Sequence, residues 1–125
     1  MIERLESPSE IVMAVIRGER ALTSLEKASV SFEIVRRRSG ERRINVTASS
    51  SFTVKPDPVD IAAGLRSHRD DPEVLGDWAT FILAADIVDL ATMEASPERD
   101  DLLNALWDAS FEWSHRGSKG RQRQQ

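Results

Sequence analysis

The chain has 125 residues, enough for one core that buries roughly two-thirds of the unfolded surface, and its 40% hydrophobic and 30% charged content excludes a disordered or membrane-embedded chain. It contains no cysteine, which removes disulfides, thiolate nucleophiles and sulfur-rich zinc sites. The formal net charge of −4 conceals three blocks: residues 1–56 carry ten basic and seven acidic side chains, residues 57–113 carry three and fourteen, and residues 114–125 carry four and none.

In chain order, the opening MIERLESPSE is charged and lacks the apolar core of an export signal, so a cytoplasmic location is expected. Ser7-Pro8 then begins a helix, with Glu10 three residues on completing a capping box. Ile11, Val12, Val15, Ile16, Leu22 and Leu25 keep helical spacing, which predicts a helix from Pro8 to about Lys27 with Gly18 as its weak point. Between Ser29 and Val54 the period falls to two. Val30, Phe32 and Ile34 alternate with Ser31, Glu33 and Val35, and Ile44, Val46 and Ala48 alternate with Asn45 and Thr47, the pattern of a β-hairpin. Its turn, residues 36–43, contains Gly40. Beyond Ala48, the second strand either continues through Ser49, Ser50 and Ser51 or folds there into a third strand.

Three further Pro-led starts follow, each preceded by a capping side chain: Asp57-Pro58, Asp71-Pro72 and Ser96-Pro97. They predict a short helix from Pro58 to about Ser67, a long one from Pro72 to about Glu94 and a last one from Pro97 to about Trp113. The long helix carries an apolar stripe of Leu75, Trp78, Ala79, Ile82, Leu83, Ile87 and Leu90; Asp86 interrupts it and offers an alternative cap for a separate helix from Ile87. Leu102, Leu103, Leu106, Trp107 and Phe111 stripe the last helix and are expected in the core. The longest largely apolar stretch, Ala79 to Ala85, is far too short to span a bilayer, so no membrane partner is expected. The expected fold is therefore α+β: a small antiparallel sheet, as a hairpin or three-stranded meander, packed by about four helices in the order α-β-β(-β)-α-α-α. Residues 1–113 form the single domain, and residues 114–125, with no apolar side chain, form a disordered basic tail.

Two surfaces invite functional readings. Arg36, Arg37, Arg38, Arg42 and Arg43 crowd one hairpin turn, a group suited to nucleic-acid phosphates or to an acidic protein partner. Charged turns also serve simply to keep edge strands from pairing. Opposing them, the later helices are rich in carboxylates, among which Asp70, Asp71, Glu73 and Asp77 are candidates for capture of a basic protein. Helix dipoles favour such acids in first turns without any partner. Trp113, at the fading end of the last helix, either clamps that end to the core or anchors a partner.

No phosphate-binding glycine loop, nucleophile elbow, paired-histidine metal helix or dinucleotide fingerprint occurs, and no EF-hand spacing. His68 and His115, the two histidines, have no partner of catalytic type near them in sequence. Hence no catalytic residue, metal or cofactor is assigned. The expected function is a non-enzymatic protein-binding module, of the inhibitor or immunity type, for a basic protein; the alternatives are a small nucleic-acid-binding regulator using the arginine turn and a structural or self-associating protein. A homodimer, with the turn of one copy on the acidic helices of the other, fits the same charges.

Overall fold

A computed structural model describes residues 7–36, 38, 42–48 and 52–114, with the backbone alone at 36, 42–44, 113 and 114. Helix α1, Pro8–Ile16, starts as the sequence predicts. Ser7 Oγ accepts from the Glu10 amide at 3.2 Å, and Glu10 Oε1 accepts from the Ser7 amide at 2.8 Å. The helix does not run to Lys27. Gly18 takes a φ of +80°, the left-handed conformation that L side chains avoid, and the chain closes a Schellman turn there. The Gly18 amide donates to the Val15 carbonyl at 3.1 Å and the Glu19 amide to the Ala14 carbonyl at 2.9 Å. Leu22 and Leu25, which keep α1's spacing in the sequence, belong instead to a separate 3-10 helix, Leu22–Ala28, that buries Leu25 and Ala28.

Strands β1, Val30–Arg36, and β2, Arg42–Ala48, pair antiparallel, with Val30 opposite Ala48 at the base and Arg36 opposite Arg42 at the tip. Val30 is buried and Phe32 half-buried, but Ile34 and Val35 are exposed, so the hairpin leaves the core as it approaches its tip. The choice between a long second strand and a third strand at Ser49–Ser51 lies outside the described residues. Val54 pairs elsewhere: its amide donates to the Ile87 carbonyl at 2.7 Å, and its carbonyl accepts from the Asp89 amide at 2.9 Å, a parallel bridge between Val54 and Val88.

Helix α2, Pro58–His68, begins where the Asp57 amide donates to Asp60 Oδ2 at 2.9 Å. Helix α3, Pro72–Ala84, begins where the Val74 amide donates to Asp71 Oδ1 at 3.3 Å. It ends ten residues short of Glu94, and no separate helix starts at Ile87. Ala85 turns extended, and the loop that follows buries Ala85, Ile87, Val88 and Met93 while serving as the partner of Val54. The apolar period continues past Ala84 because the loop is buried, not because it is helical. Helix α4, Pro97–Ser114, is led by Ser96 Oγ, which accepts from the Arg99 amide at 3.0 Å. The architecture is α+β, with five helices among the described residues, counting the 3-10 helix, around a two-stranded sheet.

Three elements meet at one buried point. The Trp78 ring of α3 is 1% exposed, and its Nε1 donates to the carbonyls of Val15 and Ile16 at 3.1 and 3.0 Å. Those carbonyls are among the last of α1, which an α-helix leaves without internal partners. Gly64 in the middle of α2 makes room: a Cβ there would lie 2.2 Å from Trp78 Cζ2 and 2.3 Å from the Ile16 carbonyl oxygen. Glycine inside a helix costs about 1 kcal/mol relative to alanine, and here close packing offsets it. The Arg17 Nε to Asp60 Oδ1 bond at 3.1 Å and the Ser67 Oγ to Gly18 carbonyl bond at 3.2 Å join the same two helices on either side.

Two substitutions test this junction by urea unfolding. Gly64→Ala is expected to destabilise by about 3 kcal/mol, the upper range for overpacking, because both atoms it would meet are fixed. Trp78→Phe keeps most of the ring but strips the indole donor from the Ile16 carbonyl and leaves the Val15 carbonyl with the Gly18 amide alone, with an expected loss of about 2 kcal/mol. An unfolding midpoint within error of the parent for either variant would remove the junction from the account of stability.

Candidate functional site

The carboxylates singled out at the α2–α3 corner have unequal duties. Asp70, Asp71 and Glu73 are exposed, while Asp77 is only partly so. The Asp71 side chain is engaged in starting α3. Its charge also reaches His68, whose ring packs on Trp78 with centroids 5.7 Å apart and planes tilted by 57°. Burial pulls the His68 imidazole below its ordinary 6.5, and the Asp71 carboxylate opposes that pull without cancelling it. Of these four, Asp71 thus serves the start of α3 and the surroundings of the His68–Trp78 contact.

At the hairpin tip, the pairing register sets Arg36 against Arg42 and Arg43 against Val35. Arg38 is exposed in the turn, and Arg37 lies outside the described residues. The backbone of Trp113 sits in the last turn of α4; its side chain is outside the described residues, as are 115–125.

Helix α4 holds the surface that the sequence reading missed. Trp107 and Phe111, expected in the core, are each 61% exposed. The reason is arc. Leu102, Leu103, Leu106, Trp107 and Phe111 together span about half the circumference of a helix with 3.6 residues per turn, more than one packed face can cover. Leu106 is fully buried and Leu102 and Leu103 partly so, and a Thr80–Ser110 hydroxyl contact at 2.9 Å keeps that side against α3. Trp107 and Phe111 are consequently turned outward, on one stripe with Asp100 and Asn104 and beside Asp101, Asp108 and Glu112, all exposed. Five acidic residues face one basic residue on this helix, and that one, Arg99, is turned to the Met93 carbonyl at 3.4 Å and Asp100 Oδ1 at 3.3 Å. The combination that marks such a face is legible in the sequence: an aromatic pair four apart, on the acid side of an overfull stripe.

Two of the grooves among the described residues are deep enough to note. One, of 390 Å³, lies between the 3-10 helix and β1 and is lined chiefly by Leu22, Leu25, Val30 and Phe32. The other, of 440 Å³, lies beside the loop after α3 and includes Asp86 and Asp89 but no histidine. Among the described residues no three side chains of metal-ligating type converge, and no helix is long and apolar enough to cross a membrane. No family model matches the chain, and no curated protein or solved structure matches it either.

The His68 environment generates a pH dependence with a definite sign. A histidine whose folded pKa is depressed favours the folded state fully above its unfolded value, and that contribution is lost as pH falls through the folded value. Stability should therefore decline from about 6.5 downward more steeply in the parent than in His68→Gln. Urea midpoints measured from pH 7.5 to 5 in both proteins check this; parallel curves would refute it.

Proposed function

We propose that this protein is a non-catalytic binding module that holds a basic protein partner against the outer face of α4. The observation that carries the reading is the exposure of Trp107 and Phe111, two large rings one helical turn apart, within a rim of Asp100, Asp101, Asp108 and Glu112. Exposed aromatics of this size in a soluble domain favour burial on binding, and tryptophan leads the residue types that dominate interface energy. The acidic rim supplies the second half of recognition: it attracts cationic partners and repels anionic ones, nucleic acid included. A basic amphipathic helix, with leucines for the rings and lysines or arginines for the rim, has the matching chemistry. The four acids at the α2–α3 corner contribute long-range attraction, with Asp71 held to the start of α3.

Calorimetric titration with a synthetic amphipathic leucine–lysine helix tests the reading. Binding should weaken as salt rises, and Trp107→Ala should weaken it about tenfold or more, while Asp70→Asn with Glu73→Gln should leave it nearly unchanged at moderate salt. Equal affinity of Trp107→Ala and parent, or no binding to the parent at low salt, would overturn the assignment to α4.

A further inference from the structure

The chain itself carries a basic surface that fits the α4 face. Residues 36–43 contain five arginines and one glutamate. The antiparallel register sets two of those arginines, Arg36 and Arg42, directly opposite each other at the end of the ladder, with Arg43 on the next rung and Arg38 exposed beyond. Like charges directly opposite across two strands destabilise a hairpin. Carboxylates brought up from outside relieve that repulsion. The apolar side chains match as well: Ile34 and Val35, next to the arginines, are 40% and 37% exposed.

Taking the α4 face as the binding surface, we infer that its first occupant is the arginine-bearing hairpin tip of a second copy of this chain. In such a dimer the guanidinium groups lie among Asp100, Asp101, Asp108 and Glu112, and at least one of them stacks on the Trp107 ring, an arrangement that desolvation strengthens. Ile34 or Val35 covers the edge of the aromatic pair. The hairpin is anchored at its base by buried Val30 and is exposed at Ile34, Val35 and Arg38, so its outer end is available to another molecule. Two copies exchanging tips across a two-fold axis satisfy both arginine clusters and both acidic faces at once. The dimer hides the face that a foreign basic protein would use, so the second copy and the foreign partner compete.

Sedimentation equilibrium of the full chain over a range of concentrations, at low and high salt, is the test. The parent should dimerise at low salt and dissociate as salt rises. Arg38→Glu with Arg42→Glu, and separately Asp101→Lys with Asp108→Lys, should each weaken self-association about tenfold or more. An equimolar mixture of the two altered proteins should recover pairing, because the unaltered tip of one then meets the unaltered face of the other. Circular dichroism of each variant establishes that it is folded, and Trp107→Ala, which leaves all charges in place, should also weaken the dimer. A parent that stays monomeric at low salt, a dimer indifferent to both reversals, or a mixture that fails to pair would each overturn the inference. If the parent is monomeric yet binds the leucine–lysine helix through Trp107, only self-pairing is lost; if it does neither, the α4 reading falls with it.

Discussion

The two hydrogen bonds from the Trp78 indole to the last carbonyls of α1 are the constraint from which the rest of the core follows. A helix end pressed into a protein interior must find donors for its carbonyls, and here the indole of a distant helix completes what the turn at Gly18 begins. Reaching them requires the ring to cross α2, which is possible only because position 64 has no side chain. Gly18 turns the chain away at the same point, and Ser67 and Asp60 fasten α2 to the turn. Around this junction lie the fully buried Val12, Val15, Ile16, Ile61, Phe81 and Ile82. Polar satisfaction and apolar packing are thus a single arrangement here.

What the sequence discloses and what it hides divide along the same line. Helix starts are local events: a capping side chain and a proline suffice, and all four were legible. The hairpin and its period-two pattern were equally legible, because alternation records a half-buried sheet directly. Helix ends were not. The stop at Ile16 depends on a turn that α2 and Trp78 support from afar, and the stop at Ala84 depends on the pairing of the following loop with Val54. Neither partner is near in sequence, so periodicity ran on through both boundaries. The same limit applies to Trp107 and Phe111, whose exposure depends on which part of an overfull stripe α3 selects.

The charge blocks of the sequence become, in the fold, surfaces of different kinds. At the α2–α3 corner Asp71 is engaged in capping, whereas the acidic residues of α4 surround two exposed rings. The arginines gather at the end of a ladder that leaves the core. Separation along the chain has therefore become a difference of element, arginines on the hairpin and carboxylates on the helices, and net charge alone conveys neither.

The bridge between Val54 and Val88 has a kinetic meaning as well as a structural one. It closes a long loop that contains α2 and α3, and in a chain without disulfides it does the work of a cross-link by main-chain hydrogen bonds and buried valines. Restricting a loop of this length lowers chain entropy by about 4 kcal/mol, a debt that local helix formation cannot discharge in advance. Closing it therefore weighs more on the folding rate than a local turn does, and the burial of Val54 and Val88 offsets the cost.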